Sequence, residues 1–147
     1  MRLNEIMNKE VHTIWGTETA SDALAEMRSH RIHHLAVMEE NRVIGVLSER
    51  DLRGQDTPGT SRMVRDLMTP EVISATPETT VRQAANLLRG HAIGCLLVME
   101  GKHLRGIVTI TDLLELLGRG TPRASLETRW KPIRRMARNP RVRPAHA

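Results

Sequence analysis

The sequence contains no phenylalanine and no tyrosine, and only two of its 147 residues are tryptophan. Its core must therefore be assembled from aliphatic side chains and methionine, and a base cannot be recognised by stacking on Phe or Tyr. The single cysteine, Cys95, excludes an internal disulfide. Placed among Ile93, Leu96, Leu97 and Val98, it reads as a buried, inert thiol. No run of eighteen apolar residues occurs, which excludes a transmembrane helix. Met1-Arg2-Leu3-Asn4-Glu5 carries an acid early and no apolar stretch follows, so a cytoplasmic location is expected rather than secretion. There is also no nucleophile elbow, no HExxH, no glycine-rich phosphate loop with lysine and no evident pair of catalytic acids. An enzyme is not expected.

The net charge of +5 is unevenly spread. Residues 1–118 hold 13 Lys or Arg against 16 Asp or Glu, whereas residues 119–147 hold 9 against one. The first part is mildly acidic and the basic character lies in the tail, which argues against a basic nucleic-acid binder overall.

What the chain does have is an internal repeat. Shifted by 61 positions, residues 3–52 align with 64–113 without a gap, and fifteen of the fifty pairs are identical. They include Glu10/Glu71, Thr19/Thr80, His30/His91, Gly45/Gly106 and Asp51/Asp112. The repeat divides the chain into copy one (3–57), copy two (58–118) and a basic tail (119–147).

Each copy shows one coarse layout. An extended segment (Val11–Ile14 or Val72–Thr76) precedes a capping-box pattern, Thr19-x-x-Asp22 or Thr80-x-x-Gln83. The helix that follows gathers Ala20, Ala23, Leu24 and Met27, or Val81, Ala84, Leu87 and Leu88, on one side. Two strands around Leu35–Met38 and Val43–Leu47, or Leu96–Met99 and Leu104–Val108, form a hairpin, and a second helix begins at Ser48 or Thr109. The fold class is α+β, with two βαββα units packed as one pseudo-two-fold module. Each unit alone would leave an apolar sheet face uncovered. The segment Arg53–Ser61 reads as an exposed connector.

The strongest chemical signal is Gly45-Val46-Leu47-Ser48-Glu49-Arg50-Asp51, matched by Gly106-Ile107-Val108-Thr109-Ile110-Thr111-Asp112. Two readings stay open. Ser or Thr at an N-cap with Asp three residues on is an ordinary cap. The same helix start, with its N–H groups and hydroxyl, suits a phosphate, and a carboxylate one turn in can accept both hydroxyls of a ribose. Arg50 can add a bidentate phosphate contact that Thr111 cannot. The first site is therefore expected to favour the more highly charged ligand.

With these segments, Met7, Met68-Thr69-Pro70, Ile32-His33-His34-Leu35-Ala36-Val37 and Ile93-Gly94-Cys95-Leu96-Leu97-Val98, the chain resembles a tandem pair of CBS domains, a Bateman module, over residues 3–118. The resemblance implies binding rather than catalysis: adenosine compounds (AMP, ADP, ATP, S-adenosylmethionine or NAD) held in two clefts between the repeats, with no cofactor required. It implies that Asp51 and Asp112 take ribose hydroxyls and that Ser48 and Thr109 approach phosphate. Thr13-Ile14 and Ser74-Ala75 would border the base, and Ile32, His34, Ile93 and Cys95 would complete the walls. It also implies a homodimer that acts on a regulated protein. The family often carries proline at or near the positions of Leu35 and Leu96, which this chain does not.

His12, His30, His33 and His34 are not expected to bind a metal. His33 and His34 point to opposite sides if extended, and His30, like His91, suits a helix C-terminus. Trp15 reads as an edge or dimer contact. In the tail, Leu126, Trp130, Ile133 and Met136 keep a helical period among arginines, broken by Pro132. A helix docked on the acidic module is the first reading; contact with RNA or DNA, or with a regulated protein, are the others. The last part, Asn139-Pro140-Arg141-Val142-Arg143-Pro144, reads as extended or disordered.

Overall fold

The computed structural model describes residues 1–55 and 62–119. The connector beyond Gln55 and the expectations for the tail fall outside these residues. Residues Met1–Leu114 form one compact unit.

The mixed α+β layout is present. In the first copy a short helix, α1 (Leu3–Ile6), precedes β1 (Thr13–Trp15), α2 (Ala20–His30), β2 (His34–Glu39) and β3 (Arg42–Ser48). The second copy repeats this with α3 (Val64–Leu67), β4 (Ser74–Ala75), α4 (Val81–His91), β5 (Cys95–Glu100) and β6 (His103–Thr109), followed by α5 (Ile110–Gly118). Each copy has its own three-stranded sheet, ordered β1-β2-β3 or β4-β5-β6. The first pair is parallel in both sheets and the second antiparallel. An α-helix makes the crossover that a parallel pair requires.

The caps of α2 and α4 follow the sequence pattern. Thr19 Oγ1 accepts from the N–H of Asp22, and Asp22 accepts from the N–H of Thr19 in return. Thr80 and Gln83 do the same. Both helices stop at a left-handed residue that is not glycine, Arg31 (φ 55°) and Ala92 (φ 52°). The next N–H, of Ile32 or Ile93, reaches back to the carbonyl of Met27 or Leu88, which closes the helix end while the isoleucine packs on the core.

Two features depart from the sequence expectation. After Ser48 the chain makes only a 3-10 turn, Glu49–Leu52, where α5 follows Thr109 in the second copy. The chain leaves helical geometry at Arg53, which is extended (φ −60°, ψ 128°), with Gly54 following at φ +78°, whereas Leu113, Leu114 and Leu116 continue the apolar period of α5. The second feature is α1 and α3, each too short to give a readable period.

These short helices interlock the copies. Leu3, in front of copy one, is fully buried in the core of copy two with Leu88, Leu96 and Val108. Val64, in front of copy two, is fully buried in the core of copy one with Leu24, Leu35 and Leu47. Backbone pairs fix both exchanges, Asn8 with Ile107 and Thr69 with Val46. Each copy thus supplies a stopper for the other's core, and neither core is complete without its partner.

Candidate functional site

The antiparallel register brings the start of β2 beside the end of β3, pairing His34 with Ser48, and the start of β5 beside the end of β6, pairing Cys95 with Thr109. The two strand ends open on one cleft of about 1190 Å³ between the repeats. That is slightly above the usual range of a single small-ligand pocket, roughly 300–1,000 Å³, and leaves room for two subsites. Ile32, His34, Ser48, Arg50 and Asp51 line it from the first copy, and Ile93, Cys95, Thr109, Thr111 and Asp112 from the second.

Thr13, Ile14, Ser74 and Ala75 are not brought to the cleft. Ile14 and Ala75 point into the two cores, and Thr13 and Ser74 are exposed elsewhere. His12 and Ile73, each just before its short strand, form this part of the wall instead. Glu10 and Glu71 also line it. Their identity across the repeat was the available signal, but nothing in the pattern assigned them a direction.

Both Ser/Thr-x-x-Asp segments form complete capping boxes. Asp51 Oδ2 accepts from the Ser48 N–H at 2.9 Å, and Ser48 Oγ accepts from the Asp51 N–H at 3.3 Å. Asp112 and Thr109 repeat this at 2.8 and 3.2 Å. The following N–H is also engaged, Glu49 to the His33 carbonyl and Ile110 to the Gly94 carbonyl. The helix starts therefore offer fewer free N–H donors than the sequence suggested. What remains among the described residues is the N–H of Arg50 and of Thr111, the hydrogen of each hydroxyl and the second carboxylate oxygen, Oδ1, of each aspartate, which accepts no hydrogen bond. An ionised carboxylate has acceptor capacity for a cap and a further donor at once.

Charge separates the two halves. Arg31, Arg50 and Arg53 line the cleft from the first copy, and their counterparts are Ala92, Thr111 and Leu114. Arg89 is the arginine that copy two contributes among the described residues. The first side thus offers an anionic group more arginine partners, with Glu10 and Glu49 also lining the cleft from that copy and Glu71 from the second.

The pseudo-equivalent His34 and Cys95 are both shielded. The His34 ring lies over the backbone of Gly94, whose missing side chain makes the room: a Cβ there would sit 2.8 Å from Nε2. Burial lowers the His34 pKa from 6.5, the nearby His33 lowers it further, and Asp51 opposes the shift. Burial pushes the Cys95 thiol up to about 12, which keeps it protonated and unreactive.

The lowered His34 pKa has a consequence for stability. Below its ordinary value of 6.5 the unfolded chain binds this proton and the folded chain resists it, so acidification favours unfolding. The contribution is intact above that value and is lost as the pH falls towards the folded pKa. In urea unfolding between pH 8 and 5, His34→Gln should flatten the acid side of the stability profile. An unchanged profile would show that His34 protonates freely in the folded state.

The family model for the CBS domain matches residues 3–55 and 64–119. The chain is 28% identical over 119 residues to the CBS domain-containing protein YhcV of Bacillus subtilis, covering 76% of this chain and 81% of that one. It is 25% identical over 116 residues to an inosine-5'-monophosphate dehydrogenase of Methanocaldococcus jannaschii, where it spans 78% of this chain but only 23% of the enzyme. Among solved structures, the CBS domain pair of protein MJ0100 in complex with 5-methylthioadenosine and S-adenosyl-L-methionine superimposes with a TM-score of 0.75 at 22% identity, over 82% of this chain and 98% of that one. CBSX2 in complex with AMP gives 0.71 at 23%, with the same coverages.

Proposed function

The chain belongs to the CBS domain family, and from that premise we propose that it is a non-catalytic regulatory module that binds adenine nucleotides in the cleft between its repeats. One observation carries the reading. Two capping boxes face the same cleft, each with a carboxylate oxygen left for a sugar hydroxyl, and arginines crowd one side of it. A nucleoside phosphate has the matching chemistry: two vicinal hydroxyls to donate and an anionic end to pair. The base would rest between aliphatic side chains such as Ile32 and Ile93. That MJ0100 binds S-adenosyl-L-methionine and CBSX2 binds AMP supports the adenosine class.

Regulation would follow if the nucleotide binds one arrangement of the repeats more tightly than another. On the same reading the module works in the cytoplasm as a homodimer and transmits its state to a regulated protein.

Isothermal titration of the full chain with AMP, ADP, ATP, NAD and S-adenosylmethionine tests the binding. Saturation by at least one, with micromolar to millimolar Kd, is expected. Absence of heat and saturation with all five would reject the proposal.

A further inference from the structure

Beside the cleft, the first repeat holds a group of metal-binding side chains with no counterpart in the second. His12 precedes β1, and Glu26 and His30 lie one turn apart on α2. One donor atom from each comes within 4.8 Å of the other two. The His12 and His30 rings are stacked with centroids 4.0 Å apart and planes 27° apart, and His30 Nε2 lies 3.1 Å from Glu26 Oε1. In the sequence His30, His33 and His34 lie close together, with His12 before them, and no metal site is expected from that spacing. The fold instead takes His33 away to Glu49 and puts Glu26 in its place.

The repeat supplies an internal control for what this place needs structurally. The residues at the same positions in copy two are Ile73, Leu87 and His91. Ile73 and Leu87 pack on the second core. The fold is thus satisfied by an apolar pair, and nothing in the packing calls for an imidazole and a carboxylate there. His91 shows that a histidine at the end of this helix is compatible with either arrangement. Only in copy one do all three positions carry donors.

The geometry points to a binding site for one late first-row divalent cation, such as zinc, held by His12, Glu26 and His30. Two imidazoles and one carboxylate are a donor set that suits such an ion, and three protein ligands leave a fourth position open. Tetrahedral ligands about 2.0–2.1 Å from zinc stand roughly 3.4 Å apart, so His30 and Glu26, already 3.1 Å apart, separate slightly, while the stacked His12 and His30 rings turn to aim their in-plane lone pairs at one point. His30 and Glu26, each with a side chain 41% exposed, have the freedom to do it, and the ion replaces their mutual contact. His12 is also a wall of the cleft. The ion would therefore pin the segment before β1 to α2 and fix that wall. This site stands on its own observations and does not depend on the nucleotide reading.

The test is titration of the full chain, first stripped with chelator, with zinc chloride and no nucleotide present. One site with micromolar or tighter affinity is expected. The double variant His12→Ile with Glu26→Leu copies the second repeat and is expected to fold, as circular dichroism and thermal unfolding will show. It should weaken that site at least tenfold, and His30→Ala should do the same. His33→Ala should leave it unchanged. No zinc binding up to millimolar concentration, or equal affinity in the parent and in both the double and His30→Ala variants, would overturn the assignment. If the double variant does not fold, His30→Ala alone decides the question, because His30 is exposed and its loss removes no core contact.

Discussion

Alanine in place of Gly45 should destabilise the chain by about 1–3 kcal/mol, the usual cost of forcing a methyl into a filled site. Gly45 is buried on β3, and a Cβ there would lie 2.5 Å from Met68 Sδ and 2.8 Å from the Thr69 carbonyl oxygen. The thioether can swing away. The carbonyl cannot, because Thr69 and Val46 exchange two backbone hydrogen bonds, at 3.0 and 2.9 Å, which hold α3 against the first repeat. Relief of the clash must therefore loosen the segment that delivers Val64 to the core. Gly106 stands in the same relation to Met7 and the Asn8 carbonyl, at 2.7 and 3.0 Å, so Gly106→Ala should cost slightly less. Gly90 supplies the contrast. It lies inside α4, and a methyl added there would meet nothing within 4 Å, so Gly90→Ala should stabilise by about 0.5–1 kcal/mol through helix propensity. Urea unfolding of the three variants reads all of this. Parent-like stability in Gly45→Ala would mean that the interlock is looser than the structure shows.

Loss of nucleotide affinity without a comparable loss of stability is expected on replacing Asp112 by alanine. The cap that Asp112 forms with Thr109 is local and partly exposed, and such caps contribute about 1 kcal/mol. A ribose hydroxyl donating to its second oxygen makes a charge-assisted bond, worth roughly 1.5–3 kcal/mol. Affinity at that subsite should accordingly fall ten- to a hundredfold, while the unfolding midpoint moves only slightly. Asp51→Ala should do the same on the first side, where the arginines retain part of the phosphate attraction, so its loss should be the smaller of the two for a nucleoside triphosphate. Asp112→Asn keeps an acceptor for the cap and removes the charge, separating the two roles within one residue. If both alanine variants lose stability and neither loses affinity, the aspartates are caps alone.

Much of the fold was readable in the chain because the repeat gives every signal twice. Thr19 and Thr80 fix the starts of α2 and α4, and the two hairpins follow from apolar runs broken at Glu40 and Gly101, which take positive φ as tight turns require. The exchange of α1 and α3 was not readable. Leu3 and Val64 each stand in a four-residue helix, and their burial depends on partners in the other copy. The helix ends at Arg31 and Ala92 were hidden for a different reason, since neither offers the glycine that normally marks a left-handed stop.

For the site, residues on strand ends were easier to place than those on the leading strands. Ser48, Asp51, Thr109 and Asp112 sit where a repeated motif ends a strand, and the cleft gathers them. The direction of Thr13 and Ser74 depends on which alternate residue of a two- or three-residue strand faces inward, and so short a strand shows no alternation. His12 was visible as a histidine, but its meeting with Glu26 and His30 depends on how β1 lies beside α2.

A crystal structure of the full chain grown with saturating AMP tests the nucleotide site most directly. Ribose density is expected beside the free carboxylate oxygen of Asp51 or Asp112, with the phosphate towards Ser48 and Arg50 when the first side is filled. AMP bound away from both aspartates, or a cleft that stays without nucleotide at saturation, would contradict it.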